Sequence, residues 1–425
     1  MARERQNDRT TKPGGTDVRY LVLADDLTGA LDTGLQLRRL GIPTKVLAGE
    51  SVMTELFREE GIPALVINTD SRHTDPDSAY RIVRDICQKA SGYQIQLIYK
   101  KTDSVLRGNI GAELEAIADV GYKTIYFAPA YPKLDRTTVD GRQLIKQVPV
   151  DQSPFGRDQL NPIQTASVPE LLAQAGLEAV VISQETDLES LRGREGIFVF
   201  DAETDERLEK VAEWIAGQSG KFALAGCAGF AEHLRPILHY ERSAAEPETV
   251  TYDGVIVISG SLNPLSFTQI QTAARAGFDV ISVEGFDGFL SQDDFEMTEG
   301  IVRKILDAYA RNPKLIIETT SKGADSGDMG EKLRAGKRIA NHFGKLVKEI
   351  RENGFDGLFV VSGGDTLGSI VKHIGGHSIE PIREIEPGVV LANVSTDDGV
   401  CQFITKSGGI GSAEIYCLIK DIFVH

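Results

Sequence analysis

Short apolar runs that alternate with helix-length segments constrain the fold of this chain more than any other feature. Runs rich in Val, Ile and Leu recur along it, among them YLVLA, ALVIN, QLIYK, TIYFAPA, GVIVISGS and GLFVVSGGD. Most are separated by stretches long enough for a helix, such as DPDSAYRIVRDICQKA and DERLEKVAEWIAGQ. Continuous apolar strands alternating with helices are typical of a mainly parallel sheet that is covered on both faces. The pattern therefore predicts an α/β fold.

The length of the chain predicts two such domains, because 425 residues exceed the size at which a single hydrophobic core stops growing. The polar stretch HYERSAAEPETVTYD lacks periodicity, and we place the linker there, at residues 241–253. We predict domains at 17–240 and 254–425, each with a mainly parallel sheet flanked by helices, and a flexible leader over residues 1–16. Residues 129–164 are long for a loop and are predicted to form a lid or binding segment.

Composition argues against several classes of protein. The formal net charge of −16 disfavours a surface that grips nucleic-acid phosphates. No uninterrupted apolar run approaches membrane-spanning length, and the leader lacks the apolar stretch of a secretory signal. The four cysteines show no C-x-x-C spacing, so the sequence predicts neither a zinc site nor a disulfide framework. We expect a cytoplasmic protein with reduced thiols that binds small molecules.

Two adjacent aspartates, Asp25 and Asp26, directly follow the first apolar strand in LADDLTGALDTG. Like charges at this spacing repel each other and lose hydration when buried, so a core strand gains nothing from them. In open α/β sheets, however, the carboxyl ends of the strands form the ligand crevice. We therefore predict that Asp25 and Asp26 belong to a binding or catalytic site.

A dense group of polar side chains follows a later strand, in KKTDSVLRGNIGAELEA. The candidates for substrate binding there are Lys101, Asp103, Ser104, Arg107 and Asn109. An arginine fork suits a carboxylate, whereas aspartate, serine and asparagine can bond hydroxyls. The alternative is structural: Asp103 or Ser104 caps the following helix, and Arg107 forms a surface ion pair.

The predicted lid adds Arg136 in the segment DRTTVDGR, which carries two arginines and two threonines. This combination suits an anionic polyol, although arginines in a solvent-exposed loop can equally be only solvated charge. We include Arg136 among the predicted substrate-binding residues.

Three glycine- and serine-rich loops occur in the second half, in VISGSLNP, VVSGGDTLGSIV and TKSGGIGSAE. Backbone N–H groups exposed by glycines at a helix start can bind phosphate, although one such loop can also be an ordinary strand-to-helix turn. Three in one domain favour a nucleotide. The predicted nucleotide-binding residues are Ser259, Gly260, Ser261, Gly363, Gly364, Asp365, Thr366, Ser407, Gly408 and Gly409.

Familiar nucleotide signatures are missing from the sequence. It contains no G-x-x-x-x-G-K-[ST], no strand that opens into G-x-G-x-x-G, and no protein-kinase H-R-D or D-F-G set. A kinase with this sequence belongs to neither the P-loop nor the protein-kinase class. The missing dinucleotide fingerprint also disfavours an oxidoreductase.

Together, LADDLTGALDTG, KKTDSVLRGNIGAELEA, PAYPKLDRTTVDG, ALAGCAGFAEHL, VISGSLNP, VVSGGDTLGSIV and TKSGGIGSAE resemble the four-carbon acid sugar kinases. The resemblance covers nearly the whole chain after the leader. It implies a sugar-acid-binding N-terminal domain, an ATP-binding C-terminal domain, an active site in the cleft between them, and a homodimer. It also implies a transferase that uses ATP to phosphorylate the terminal 4-hydroxyl of threonate, erythronate or 3-oxo-tetronate.

The same resemblance assigns individual residues. In the sugar-acid pocket it places Asp25, Asp26, Asp103, Arg107 and Asn109. On the nucleotide side it places Ser259 near ATP, Gly363, Gly364, Asp365 and Thr366 around the phosphates, and Gly408 in the last glycine loop.

Phosphoryl transfer to an alcohol requires the hydroxyl to be oriented and its proton accepted. Our hypothesis is that one of Asp25 and Asp26 does this, while the other bonds neighbouring hydroxyls or a magnesium-bound water. Arg107 is the candidate that binds the substrate carboxylate. Mg²⁺ is inferred only from the need to neutralise ATP phosphates, and the sequence assigns it no ligands.

The alternative from another functional class is a non-catalytic sensor that binds a sugar acid or nucleotide in the same cleft.

Overall fold

The computed structural model describes residues 18–48, 61–157, 162–240, 250–261, 263–293, 295–319 and 329–424. The predicted leader at residues 1–16 lies outside these residues, as do positions 241–249 of the predicted linker. The division into domains at 241–253 therefore stays a prediction.

The first half alternates strands and helices along the chain. Its strands are β1 (Tyr20–Ala24), β2 (Thr44–Leu47), β3 (Ala64–Asn68), β4 (Leu97–Lys101), β5 (Thr124–Ala128), β6 (Arg136–Val139), β7 (Arg142–Ile145), β8 (Val148–Pro149), β9 (Ala179–Ile182), β10 (Gly196–Phe200) and β11 (Phe222–Gly226). Its helices are α1 (Leu27–Arg39), α2 (Pro76–Ala90), α3 (Ile110–Asp119), α4 (Val168–Ala173), α5 (Asp205–Ala216) and the short α6 (Ala228–Ala231).

The second half continues the alternation and ends in three longer strands and a helix. Its strands are β12 (Val255–Ser259), β13 (Asp279–Ser282), β14 (Lys314–Glu318), β15 (Leu358–Ser362), β16 (Gly376–Glu386), β17 (Val389–Thr396) and β18 (Gly399–Lys406). Its helices are α7 (Pro264–Arg275), α8 (Glu299–Arg311), α9 (Met329–Glu352), α10 (Gly364–His373) and α11 (Ile415–Phe423).

One fifteen-stranded sheet runs through both halves, in the order β13, β14, β12, β15, β18, β17, β16, β2, β3, β1, β4, β11, β5, β10, β9. Its pairs are parallel except for β2–β16, β16–β17 and β17–β18. The five residues of each of β1, β3, β4, β5, β12 and β15 are buried, as expected of strands covered on both faces. The predicted α/β class with mainly parallel pairing is confirmed.

The two halves join where β16 pairs with β2, at Ile379 opposite Val46. Helix α1 also packs against β16, with Arg39 bonded to Glu384 at 2.6 Å. At Gly34 a Cβ would lie 3.0 Å from Val46 Cγ2 and 3.4 Å from Pro381 Cγ, so helix and strands approach closely there. One apolar cluster extends under this junction and contains residues of both halves. The sheet is therefore continuous, rather than two sheets separated by a linker.

The predicted irregular segment at 129–164 is partly regular. Strands β6, β7 and β8 form a small antiparallel sheet, with Arg136 opposite Ile145 and Val139 opposite Arg142. Asp140 and Gly141 connect the first two strands, and both have positive φ, 49° and 69°. Two positive φ values in a two-residue connection are typical of a type I′ hairpin, which suits the twist of the flanking strands.

A buried ion pair fastens β4 to α3 beneath the strand ends. Lys100 Nζ lies 3.0 Å from Glu113 Oε2, and neither side chain is more than 1% exposed. Ser71 Oγ also donates to Glu113, at 2.5 Å, and Lys100 donates to the carbonyl of Leu23 at 3.3 Å. The pair and its hydrogen bonds thus connect β1, β4, α3 and the segment after β3.

Replacing Lys100 with Met should destabilise the first half by about 3–5 kcal/mol, because Glu113 would be left as an uncompensated buried charge. The single tryptophan, Trp214, lies in this half, so its fluorescence during urea unfolding measures the effect. The exposed Lys123→Met is the matched control, with an expected change within about 0.5 kcal/mol. Equal stability of the two variants would contradict the structural role given to the pair.

Candidate active site

The two aspartates after β1 are held by a guanidinium that sequence reasoning missed, that of Arg72. Its Nε and Nη2 donate to Asp25 at 2.7 and 3.0 Å, and Nη2 also donates to Asp26 at 2.9 Å. Arg72 is itself buried, at 9% exposure. One cation therefore compensates the negative charges of the two adjacent aspartates.

Arg72 also reaches a third carboxylate, that of Asp103 beyond β4, at 3.5 Å. Asp103 accepts from Arg107 Nη2 at 2.7 Å and from Arg107 Nε at 3.2 Å. Burial alone would raise the pKa of Asp103, but the charges of Arg107 and Arg72 outweigh it and hold that pKa well below its usual range. Arginine and aspartate thus alternate across the ends of β3 and β4.

Asp25 and Asp26 differ in the exposure of their carboxylates and in their hydrogen-bond partners. Asp25 is 2% exposed, and both of its oxygens are bound by Arg72. Asp26 is more open, with 20% of its side chain exposed, and it caps α1 by accepting from Gly29 N at 3.1 Å. Burial would raise the pKa of Asp26, but Arg72 and Lys101 lower it, so the group is a carboxylate at neutral pH. Both oxygens of Asp26 also have partners, since Thr28 Oγ1 donates to Oδ2 at 2.6 Å. Asp26 is therefore the more exposed of the two aspartates, and the one that a ligand can reach.

Two cations of the first half, Lys101 beside Asp26 and Arg136 beside Ser104, have unfilled hydrogen-bonding capacity. Lys101 is 5% exposed, and its side chain makes no hydrogen bond or ion pair with another described residue. A Cβ at Gly29 would lie only 2.6 Å from Lys101 Nζ, so the absent side chain leaves room for the ammonium. Arg136 donates to Ser104 Oγ at 2.5 Å, while its buried Nε has no partner within the described part of the chain. An anionic ligand could bind both groups.

The remaining predicted substrate residues have structural partners. Arg107 is paired with Asp103, but this pair is largely buried and is not the surface pair of the structural alternative. Asp103 also accepts from Val105 N at 3.0 Å, and the following helix has Asn109, not Asp103 or Ser104, at its N-cap. Asn109 Nδ2 donates to the carbonyls of Ser71 and Thr74, both at 2.9 Å, and thereby braces the loop that carries Arg72. This side chain does not hydrogen-bond the helix it precedes.

A cavity of about 350 Å³ opens beside the arginines. Its lining includes Arg72, Arg107, Asn109 and residues 162–165 of the segment after β8. A four-carbon acid is small compared with this volume.

A further carboxylate, Asp32, lies on α1 about two turns beyond Asp26. Burial raises the pKa of Asp32 to about 7, against the opposing charge of Lys101. Asp32 belongs to the quoted stretch LADDLTGALDTG, but its spacing gave no reason to select it. Arg72 follows the polar end of β3, so the rule that strand ends carry the site could have found it.

The three predicted glycine loops lie side by side, because β12, β15 and β18 are neighbours in the sheet. The first loop leaves no room for a Cβ at Gly260, which lies against the Thr366 hydroxyl. The third leaves none at Gly408, which lies against Ser261. Gly363 has a φ of 118°, a conformation that disfavours other residues, and α10 begins directly after it. Backbone groups of three loops thus converge at one edge.

The other residues predicted for these loops lie in the same region. Ser259 is fully buried at the end of β12, and its Oγ has no hydrogen-bond partner among the described residues. Asp365 is exposed on the first turn of α10. Ser407 accepts from Ile410 N at 3.2 Å, and Gly409 lies beside Asn263, whose Nδ2 would be 3.2 Å from a Cβ there.

The polar residues after β1 and the second glycine loop meet at the start of α10. A Cβ at Gly364 would lie 3.5 Å from Thr28 Oγ1 and 3.8 Å from Asp26 Oδ2. The charge of Asp365 also acts on Asp70 of the first half, since burial and then that charge raise the pKa of Asp70. The structure thus brings Asp26, a predicted substrate-binding residue, close to Gly364, a predicted nucleotide-binding residue.

Two absences apply within the described ranges. They contain no group of three or more His, Cys, Asp or Glu side chains arranged to hold a metal ion. They also contain no helix that is both long and apolar enough to cross a membrane.

Comparison with known proteins gives matches over most of the chain. Residues 20–234 match a family model described as a sugar-binding N-terminal domain, and residues 256–415 match a nucleotide-binding C-terminal domain. A curated D-threonate kinase of Salmonella typhimurium is 26% identical, over 94% of this chain and 97% of the relative. A D-erythronate kinase of Heliobacterium modesticaldum is 25% identical over 94% and 96%. A 3-oxo-tetronate kinase of Haemophilus influenzae is 23% identical over 95% and 99%.

Two solved structures share the fold. One, from Salmonella typhimurium LT2, superposes with a TM-score of 0.74 at 22% identity and covers 95% of this chain and 99% of its own. The other, from Haemophilus influenzae, has a TM-score of 0.69 at 21% identity and covers 95% and 100%. Because the two domain models match in order along one chain with this fold, the protein belongs to the four-carbon acid sugar kinase family.

Proposed function

We propose that this chain is an ATP-dependent kinase that phosphorylates the terminal 4-hydroxyl of a four-carbon sugar acid. The substrate class is that of the relatives: threonate, erythronate or 3-oxo-tetronate. The observation that carries the proposal is the position of Asp26. Its carboxylate belongs to the polar group of the first half and lies beside Gly364, in a glycine loop of the second half.

Asp26 is the group proposed to orient the attacking hydroxyl. Phosphoryl transfer depends mainly on positioning and charge stabilisation, so a weakly basic carboxylate at the right place is sufficient. Asp26 is ionised at neutral pH because Arg72 and Lys101 outweigh its burial. It can therefore accept a hydrogen bond from the hydroxyl, and the proton as the new bond to phosphorus forms. Asp25, whose oxygens both bind Arg72, is assigned to holding that arginine.

Lys101 and Arg136 are the proposed partners of the substrate carboxylate. Both have donors without described partners. Lys101 ends β4, and Arg136 contacts Ser104 just beyond that strand. This modifies the prediction that Arg107 binds the carboxylate, because Asp103 already occupies two donors of Arg107. Arg107 instead lies next to Arg136, whose pKa is lowered by burial and by that neighbouring charge. A negatively charged ligand relieves this repulsion.

The three glycine loops are proposed to hold ATP, with its transferred phosphate at the start of α10. Magnesium usually keeps several waters and binds substrate phosphates with one or two carboxylates, so a dedicated protein cluster is not needed. Asp70 and Asp365 are the candidate carboxylates, because the charge of Asp365 raises the pKa of Asp70 and a cation would relieve this repulsion. They would hold Mg²⁺ together with the phosphates, and the ion would neutralise phosphate charge.

The first experiment incubates the purified protein with Mg-ATP and D- and L-threonate, D- and L-erythronate or 3-oxo-tetronate. We expect ADP release that depends on one of these acids, and a product phosphorylated at the 4-position. Binding of an acid or nucleotide without any turnover would favour the alternative of a non-catalytic sensor. The family resemblance also leads us to expect a cytoplasmic homodimer.

Replacing Asp26 with Asn should lower kcat by about 10²–10⁴-fold, because the hydroxyl loses its proton acceptor. The fold should persist, since asparagine also caps helices and Arg72 keeps Asp25 and Asp103 as partners. Kinetics of ADP release against acid concentration measure the effect. Asp25→Asn is the matched comparison, with its main effect expected on thermal stability. A kcat for Asp26→Asn within twofold of the unmodified enzyme would exclude the role.

Replacing Arg136 with Gln should raise KM for the sugar acid by about 10–100-fold, the range for losing a charged hydrogen bond of roughly 1.5–3 kcal/mol. Arg142→Gln is the control on the neighbouring strand, since Arg142 is exposed and 3.9 Å from Asp151. Its KM should change less than about twofold. An increase for Arg107→Lys without one for Arg136→Gln would return the carboxylate to Arg107.

A further inference from the structure

Lys406, the last residue of β18, is a buried lysine without a counter-ion. Its side chain is fully buried, and its Nζ lies 3.1 Å from Ser362 Oγ and 3.5 Å from the carbonyl oxygen of Gly408. Both partners are neutral. Among the described residues no carboxylate lies within ion-pair distance of this ammonium, which is unusual for a buried lysine.

The groups that face Lys406 from the neighbouring elements are hydroxyls. Ser362 ends β15, and Ser266 of α7 shares the Gly408 carbonyl by donating to it at 3.0 Å. Tyr416 of α11 lies against Ser259 and Ser362, and burial raises its pKa to about 12, so this phenol is neutral. From β17 the facing residue is Val389. No charged side chain on these elements compensates a positive charge at Lys406.

The position of Lys406 connects this uncompensated group to the glycine loops. Gly408, which accepts from Nζ, belongs to the third loop, and Ser362 leads into Gly363 of the second. Gly408 also packs against Ser261 of the first loop. A nucleotide phosphate bound by these loops would bring negative charge next to a lysine that lacks it.

We propose that Lys406 is a positioning residue whose amine is uncharged in mildly alkaline solution without nucleotide and takes up one proton when nucleotide phosphate binds at the three loops. The inference rests on the nucleotide site of the proposed function. One proton passes from solvent or buffer to Nζ, and no covalent bond forms or breaks elsewhere. The ammonium then donates to Ser362 and to the Gly408 carbonyl, and the phosphate supplies the missing negative charge.

The linkage has a definite direction with pH. Burial lowers the pKa of Lys406 to about 7, so the free protein carries the neutral amine above that pH and the ammonium below it. Binding of an anion favours the ammonium and raises this pKa. Proton uptake should therefore be large near pH 8, and affinity for ADP should fall as pH rises above 7, by up to about tenfold per unit.

The test is titration calorimetry of the full chain with ADP at pH 8, where the nucleotide is fully ionised. Measured in HEPES and in Tris, two buffers with different ionisation enthalpies and no phosphate, the binding heat gives the number of protons exchanged. We expect an uptake approaching one proton for the unmodified chain and almost none for Lys406→Met. The methionine variant should fold, since an apolar side chain of similar volume replaces a buried amine that has no counter-ion.

The control is Lys420→Met, which changes a half-exposed lysine of α11 that pairs with Asp421 and should keep the full uptake. ADP binding without buffer-dependent heat, or undiminished uptake in Lys406→Met, would refute the inference while leaving the kinase proposal intact. Absence of any ADP binding would refute both. If Lys406→Met does not fold, the unmodified chain still tests the inference. Its proton uptake on ADP binding must decline between pH 8 and pH 6.5, because Lys406 of the free protein is then already protonated, and an uptake that does not decline would refute the inference.

Discussion

The guanidinium of Arg72 is the interaction on which the candidate site depends. It binds Asp25 through two donors, reaches Asp26 at 2.9 Å and lies 3.5 Å from Asp103. One cation thereby lies between three carboxylates at neighbouring strand ends, and its charge lowers the pKa of Asp26 and of Asp103 against the effect of their burial. Because Arg72 consumes both oxygens of Asp25, it leaves Asp26 as the more open member of the pair. The two identical side chains thus differ in exposure, 2% for Asp25 and 20% for Asp26.

The second constraint is the continuity of the sheet. Because β16 pairs with β2 and α1 packs against β16, the starts of α1 and α10 are held next to each other. The N-cap Asp26 and the loop residue Gly364 are therefore neighbours in the resting structure. The proposed acceptor and nucleotide residues therefore already lie close together in this structure. The same packing keeps the three glycine loops, and Lys406 beneath them, at a common edge.

Most of the parallel strands could be predicted from the local pattern of apolar residues. Runs such as YLVLA and GVIVISGS form buried parallel strands, as predicted, because side chains on both faces of such strands are apolar. Strands β16–β18 were not predicted, since polar residues interrupt their sequences and their pairing is antiparallel. The turn DDG at 397–399 is a hairpin signal that could have been used. Similarly, the connection between β6 and β7 contains Asp140-Gly141, a typical hairpin pair, inside a segment predicted to be irregular.

The sequence by itself determined the α/β class, the strand-end position of the polar residues and the three glycine loops. These follow from local periodicity and from chemistry that adjacent residues carry together. Only the tertiary structure decided which groups pair: Arg72 with Asp25, Arg107 with Asp103, and Lys406 with no carboxylate among the described residues. Partners such as Arg72 and Asp25 are 47 positions apart, and their pairing depends on the strand order of the sheet. A linear pattern carries no information about which strand end faces which, so it could not distinguish a free cation from one already bound.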